Sequence, residues 1–225
     1  AYLNFSNANL WSEIWPEIAL ALAALFILGF DLFRKPGKPS IHSGTLAIIF
    51  QAGLLVFHLI DYLVWHPTFD RETFSGMLRQ GIQGDVMRTF FLLSSLLVSV
   101  LGHQYLKGKN LRHGEFHHLT MLATAGLMLL VQSNHFLMLF VALETVAICF
   151  YTLVAYNRDS AKSLEAGIKY LIFGALSSSL LLFGIVLLYG VGANPEAWGA
   201  TYTGFEGQDP LGFQYLGNLL EANPD

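Results

Sequence analysis

The most constraining feature of the sequence is an apolar run at residues 134–156, NHFLMLFVALETVAICFYTLVAY, whose one charged side chain is Glu144. A helix of about 23 residues is long enough to cross a hydrocarbon core about 30 Å thick. Glu144 lies near the middle of the run, which places it at the expected depth of the bilayer midplane. A carboxyl group at that depth is costly unless it is neutral, paired or hydrated. We therefore expect a group outside this helix to account for Glu144.

The composition indicates an integral membrane protein. Of the 225 residues, 54% are hydrophobic and only 12% are charged, whereas a soluble domain carries about 25% charged residues. The long apolar runs lack the alternation of strands, so helices are expected to span the bilayer. The net charge of -4 argues against a nucleic-acid partner. Cys149 is the only cysteine, which excludes an internal disulfide and a cysteine-ligated cluster within this chain.

The predicted fold class is an all-α integral membrane protein with six transmembrane helices in a bundle over residues 1–190. Basic residues follow the first, third and fifth spans, so those loops are predicted to be cytoplasmic and both termini to lie on the outer, periplasmic side. Residues 191–225 are acidic, contain Gly, Asn and Pro, and are predicted to form an outer loop or tail leading to a missing seventh helix. Their segment 211–220 is predicted to lie at the surface as a short amphipathic piece. The six predicted spans are 14–33, 44–65, 86–106, 116–131, 134–156 and 164–189.

Glu144 has two interpretations. In the structural one it stays protonated and forms a hydrogen bond across a helix–helix interface. In the functional one it is a titratable member of a proton or ion pathway, since acids inside membranes mark such pathways. Tyr151, seven positions later, shares the same face of the helix. Burial raises the pKa of a carboxyl group and a nearby cation lowers it, so a group subject to both effects can change charge near neutral pH.

Lys169 lies about five residues into the predicted sixth span. In the structural interpretation it pairs with Glu165 four residues earlier and extends toward the cytoplasmic interface. In the functional interpretation it belongs to a polar path with Glu144. In an antiparallel hairpin the two groups differ in depth by about 10 Å, so a direct salt bridge is not expected. A water-bridged link, or a different cation facing Glu144, fits better.

The histidines raise the alternative of a membrane haem protein with paired imidazole ligands. Only His58 lies well inside a predicted span. His103, His117, His118 and His135 lie near span ends or in loops, where a surface position explains them more simply. No HExxH motif, P-loop or dinucleotide-binding fingerprint is present.

Several motifs, taken in order, resemble the subunit N family of respiratory NADH:quinone oxidoreductase (complex I). An acid in the fifth span, LETVAICFYTLVAYNR, is followed by SLEAGIKY and by a serine-rich GALSSSLLLFG that continues to LLYG. WPEIALALAALFILGFDLF and GDVMRTFFLLSSL resemble the family's first and third helices. VQSNHFLMLFVALE resembles the entrance to its fifth helix.

This resemblance implies an antiporter-like, proton-translocating subunit of the membrane arm, partnered by other membrane-arm subunits and the lipid bilayer in the cell's inner (cytoplasmic) membrane. It implies that Glu144 modulates the charge of a lysine on a seventh membrane helix, and that Lys169 belongs to the same proton relay. No cofactor is expected in this chain, and NADH, FMN, iron–sulfur clusters and quinone are expected in other subunits. The family has about fourteen helices, so the resemblance covers less than half of a full subunit.

Two alternatives to this function remain open. A subunit of a related multi-subunit sodium/proton antiporter or of a membrane-bound hydrogenase shares the acid of the fifth helix. A purely structural membrane module without an ion path predicts a dry, protonated Glu144 whose replacement has no effect on ion transport.

Overall fold

The computed structural model describes residues 11–33, 41–65, 71–109, 113–194 and 209–222. Within these ranges the chain forms seven α-helices and one short β-hairpin, preceded by a single 3₁₀ turn at Trp11–Glu13. The helices are α1 (Trp15–Leu32), α2 (Ile41–Trp65), α3 (Ile82–Lys109), α4 (His113–Gln132), α5 (Phe136–Val154), α6 (Ala161–Ala193) and α7 (Phe213–Ala222), and the strands are β1 (Arg71–Thr73) and β2 (Leu78–Gln80).

Helices α1 to α6 pass back and forth in an antiparallel bundle. We call one end the hairpin end, because it carries β1 and β2 beside the first residues of α3 and the last residues of α4. The opposite end, called the basic end, holds the last turns of α1 and α3 and the first turns of α2 and α4. In the sequence, Lys and Arg are concentrated near the junctions between helices at this end.

The centre of the bundle is α4, which packs against α1, α2, α3 and α5. Met121 and Met128 are completely buried and join a core with Leu20, Ile27 and Leu92 from the surrounding helices. Glycine allows α4 to approach α5 closely, because a Cβ atom at Gly126 would lie 2.8 Å from the side chain of Val146. The core is therefore built around a helix whose neighbours cover it on most sides.

Five helices in the described part of the chain are long and apolar enough to cross a membrane: α1, α2, α3, α5 and α6. Helix α4 has 20 residues but is not among them. It carries His117, Thr120, Thr124 and Gln132, and all four are buried against neighbouring helices. A helix enclosed by protein needs no apolar surface toward lipid, which explains why α4 can carry these polar side chains.

Helix α6 lies at the edge of the bundle and packs chiefly on α5. Its buried residues are Gly167, Ile185 and Gly192, whereas large apolar side chains such as Phe173 and Phe183 are exposed. At 33 residues it is about 50 Å long and extends beyond the predicted span 164–189 at both ends. This apolar surface suits contact with lipid or with further membrane helices.

The β-hairpin was not anticipated from the sequence, which predicted only helices. Strands β1 and β2 pair antiparallel in the register Arg71 with Gln80 and Thr73 with Leu78. The turn between them places Phe74, Ser75 and Gly76 at positive φ angles of 53°, 57° and 85°. Asn134 fixes the hairpin to the α4–α5 connection, since its backbone N–H donates to the Met77 carbonyl at 2.8 Å.

Helix α7 forms in the segment where a short amphipathic piece was predicted. Tyr215, Leu216 and Leu219 are buried and pack with Phe136 at the start of α5. The Tyr215 hydroxyl donates to the Gly192 carbonyl of α6 at 2.6 Å. Helix α7 therefore joins the ends of α5 and α6 at the hairpin end.

Candidate functional site

Glu144 lies in the middle of α5. The helix begins after His135, whose Nδ1 accepts the Leu137 N–H at 3.1 Å and caps the first turn. Glu144 is eight positions after Phe136, the first residue of α5, which is a rise of about 12 Å. Its side chain is half-buried, and in the part of the chain that the structure describes it has no ion pair and no hydrogen bond. Glu144 is thus a mid-helix acid whose charge no described cation balances.

Tyr151 connects α5 to α6 on the same side as Glu144. Its ring packs on Gly174, where a Cβ atom would overlap the hydroxyl group. The hydroxyl forms a side-chain hydrogen bond with Ser178, and the ring meets Tyr170 edge to face with centroids 5.1 Å apart. The glycine and serine residues noted in the sixth span therefore provide space and a partner for this tyrosine.

Lys169 pairs with Glu165 on α6, and both side chains are about two-thirds exposed. Gly167 packs on Ala155 and Gly174 on Tyr151, so Lys169 lies level with the last turn of α5. Glu144 lies closer to the start of α5, at a distance along the helix axis on the order of 15 Å from that level. The structure does not bring the two predicted site residues into contact.

A buried charge cluster at the hairpin end was missed by the sequence analysis. Arg88, near the start of α3, lies with its Nε 2.8 Å from Glu17 Oε1, and both side chains are almost fully buried. One terminal nitrogen of Arg88 lies 3.1 Å from Asp85 Oδ1, while the other donates to the Glu13 carbonyl at 2.7 Å. One guanidinium therefore joins α3 to the beginning of α1.

Two glutamines complete the cluster around Arg88. Gln132, the last residue of α4, accepts from Arg88 at 2.6 Å and donates to Glu17 at 2.6 Å. Gln80 of β2 accepts from Arg88 at 2.9 Å and donates to Gln132 at 2.8 Å. Buried charges are stable only when hydrogen bonds satisfy them in this way. The signal in the sequence was Arg88, a lone cation inside the predicted span 86–106.

The prediction of surface positions for the histidines near span ends was wrong for two of them. His117 is completely buried beside His103, with ring centroids 5.9 Å apart. His135 is also buried, and its Nε2 lies 3.1 Å from Asp209 Oδ1 in the segment before α7. The Leu211 N–H and then His135 hold the pKa of Asp209 below its usual value. These residues are buried because α4 and α5 begin against other elements, which position along the chain does not reveal.

Metal-ligating side chains are scattered in the structure. Among the described residues, no three His, Cys, Asp or Glu side chains lie close enough together to hold a metal ion. Cys149 is buried and unoxidised within α5.

Comparisons with known proteins identify the family. The profile of the family described as "NADH:quinone oxidoreductase/Mrp antiporter, TM" matches residues 133–197, which include α5 and α6. NADH-quinone oxidoreductase subunit N 1 of Opitutus terrae is 47% identical over 98% of this chain. The chain belongs to the subunit N family of NADH-quinone oxidoreductases. The subunit N of Methylovorus glucosotrophus is 34% identical over 84% of the chain.

The chain spans less than half the length of these subunit N relatives, 42% for Opitutus terrae and 38% for Methylovorus glucosotrophus. A solved structure of respiratory complex I from Thermus thermophilus with bound aureothin matches 92% of the chain with a TM-score of 0.60 and 25% identity. The match covers 42% of the Thermus thermophilus chain. The archaeal membrane-bound sulfane sulfur reductase shares the fold, with a TM-score of 0.61 and 22% identity. The chain is a multi-pass membrane protein.

Proposed function

We propose that this chain is part of a proton-translocating membrane-arm subunit of an NADH:quinone oxidoreductase. The observation that carries the proposal is Glu144, a mid-helix acid without a described counter-charge in a chain of the subunit N family. The partners proposed for the chain are the other membrane-arm subunits and the lipid bilayer of the inner membrane, with no role for nucleic acid. NADH, FMN, iron–sulfur clusters and quinone would be bound by other subunits.

The proposed chemistry is proton transfer through an intramembrane Glu/Lys relay. Protonation of Glu144 removes its negative charge and weakens its hold on a lysine of a seventh membrane helix, so that lysine releases its proton. The Tyr151 and Ser178 hydroxyl groups lie between the levels of Glu144 and Lys169 and supply hydrogen-bonding groups to the path. Lys169 is exposed on the edge of the bundle, where further helices of a longer protein would pack.

The Lys169 role has a matched test, because the Glu165 pair offers a purely structural explanation. We expect Lys169→Met to lower proton pumping about tenfold in inverted vesicles carrying the assembled complex, since the relay loses a proton carrier. Glu165→Gln removes the same pair and should leave pumping within twofold of wild type, because an exposed i,i+4 pair contributes only about 0.2–0.5 kcal/mol. Equal, small effects of the two changes would reduce Lys169 to a helix-stabilising residue.

The proposed topology has six membrane crossings, with α4 as the sixth crossing helix beside the five apolar ones. Basic residues concentrate at one end of the bundle, so that end is placed in the cytoplasm and the hairpin end, with both termini of the chain, outside. We expect a cysteine introduced at Ser160 to react with an impermeant maleimide only in inverted vesicles, and one at Gln214 only in right-side-out cells or spheroplasts. Labelling of both positions from the same side would contradict the single crossing by α6 that separates Ser160 from Gln214.

A second function is supported by the family match itself, whose description includes the Mrp antiporter. In that case Glu144 would take part in the exchange of sodium for protons. A subunit of a membrane-bound hydrogenase is the related alternative for the chain. The antiporter function predicts that adding sodium to vesicles in the absence of NADH changes the pH difference across their membrane. The oxidoreductase function predicts a gradient that requires NADH and is independent of sodium.

A further inference from the structure

A buried histidine pair lies at the basic end, remote from Glu144 and from the Arg88 cluster. His103, on α3, is partly buried, and His117, on α4, is completely buried. Their rings lie 5.9 Å apart between centroids and are tilted by 41°. His103 is about 9 Å from the end of α3 and His117 about 6 Å from the start of α4. The pair is therefore within two helical turns of the basic end.

Gly44 of α2 is what allows the two rings to converge. A Cβ atom at Gly44 would lie 2.5 Å from His103 Nδ1 and 2.8 Å from His117 Nε2. Both nitrogen atoms thus border the same point beside the α2 backbone. Because both nitrogens are within 3 Å of that point, they are less than about 6 Å apart. One water molecule, with hydrogen bonds of about 2.8 Å on each side, is enough to bridge them. Three helices contribute to the arrangement, and a side chain at position 44 would disrupt it.

The surroundings of the pair include one carboxylate, from α1. Asp31, at the end of α1, packs on Gly114, whose Cβ position is 2.6 Å from Asp31 Oδ2. Gly114 is one turn before His117 on the same face, so this carboxylate lies on the side of α4 that carries His117. A second imidazolium is opposed by the first, because like charges repel strongly at about 6 Å in a protein interior.

The other titratable groups at this end are balanced, neutral or in solvent. Glu115 of α4 is paired with Arg158 at 2.9 Å. Burial, and then the charge of Glu115, raise the pKa of Tyr156 to about 12, so that hydroxyl stays protonated. Lys107 is exposed on α3, one turn beyond His103, and His118 is partly buried on α4. In the described part of α2 the neighbours of Gly44 are Ser43 and Thr45, which do not titrate.

We propose that His103 and His117 form a proton-holding site at the basic end, in which the two imidazoles share one proton. A proton from the aqueous side binds to one ring nitrogen and is held between His103 Nδ1 and His117 Nε2 directly or through one water. The same proton leaves in the next step, so the pair returns to two neutral rings. This inference rests on the proposed function, since it adds a proton-collecting site to a proton-translocating subunit.

The test uses replacements that keep a hydrogen-bonding group where each nitrogen was. His103→Asn places an amide near Nδ1 and His117→Gln places one near Nε2, but neither amide takes up a proton at neutral pH. In inverted vesicles with the assembled complex, each change should lower NADH-driven pumping about tenfold at pH 7.5 and alter its pH profile. The double variant should pump no worse than either single variant, because the pair acts as a unit. Gly44→Ala should have the same effect with both histidines present.

The matched control is His58→Gln, a buried histidine at the other end of α2, where its Nε2 lies 3.4 Å from the Asp85 carbonyl. It should keep the wild-type pH profile. Independent, multiplicative effects of the two histidine changes, or unchanged pH profiles, would overturn the shared-proton site. If a His117 variant does not assemble on a native gel, the pH profile of the partly exposed His103→Asn decides. Normal pumping by Glu144→Gln would contradict the proposed function. Loss of pumping in Glu144→Gln together with normal pumping in His103→Asn and His117→Gln would contradict only the proton-holding site.

Discussion

Glu144→Gln is expected to lower NADH-driven proton pumping about tenfold or more while the complex assembles at the wild-type level. Glutamine keeps the size and hydrogen-bonding capacity of glutamate but has no titratable proton. Glu144 is half-buried in the middle of α5, and no described cation pairs with it. The change therefore removes a proton-carrying group without breaking an ion pair in the described structure. Pumping is measured as fluorescence quenching of an acridine dye in inverted vesicles, with assembly followed on a native gel.

Two neighbouring changes separate proton transfer from packing. Glu144→Asp keeps a carboxyl group and should retain part of the pumping. Thr145→Val alters the adjacent residue, whose hydroxyl only donates to the Val141 carbonyl of its own helix at 2.8 Å, and should leave pumping unchanged. Wild-type pumping by both Glu144→Gln and Glu144→Ala would make the acid a packing feature and α1–α6 a structural module.

The second large effect is expected at Arg88, where Arg88→Met should sharply reduce the amount of assembled subunit. The change leaves Glu17 buried without its guanidinium and removes the donor to Gln132 and Gln80. Breaking a buried ion pair by removing one partner costs about 3–5 kcal/mol, a large part of the roughly 5–15 kcal/mol that stabilises a folded domain. The measurements are the fraction of subunit in the complex on a native gel and the midpoint of thermal aggregation in detergent.

The charge explanation for Arg88 has its own controls. Arg88→Met combined with Glu17→Gln removes both charges and should recover part of the lost assembly, since no carboxylate at position 17 then remains uncompensated. Arg71→Met, also at the hairpin end, removes an exposed arginine whose nitrogen lies 3.7 Å from Glu13, and should have little effect because surface pairs contribute about 0–1 kcal/mol. Normal assembly of the single Arg88→Met variant would show that the cluster does not hold α1, α3 and α4 together.

The bundle could be predicted from the sequence because the bilayer imposes simple rules. Length and apolarity predict membrane helices directly, and the run around Glu144 corresponds to α5 at Phe136–Val154. Helix α4 is not among the five helices that are long and apolar enough to cross a membrane, and the structure shows that its neighbours bury it. Helix length and composition do not show which helix faces meet, so the burial of His117 could be recognised only from the tertiary structure.

The Arg88 cluster and the hairpin were missed for physical reasons. Arg88 and Glu17 are 71 residues apart in the sequence, and nothing local indicates that they meet. The hairpin turn uses Phe74 and Ser75 at positive φ, where glycine, asparagine or aspartate would have marked a turn. The pairing of Lys169 with Glu165 was one of the two interpretations made from the sequence, because it depends only on helical spacing.

The enclosed position of α4 has a consequence for biosynthesis. In the six-crossing topology, its buried His117, Thr120, Thr124 and Gln132 make it a poor candidate to leave the translocon for lipid alone. Three residues, 133–135, separate it from the strongly apolar α5. The two helices are therefore expected to enter the bilayer as one hairpin, with α4 held at the lateral gate until α5 has been synthesised. Nascent chains stalled on the ribosome before α5 has been synthesised would leave α4 accessible to water.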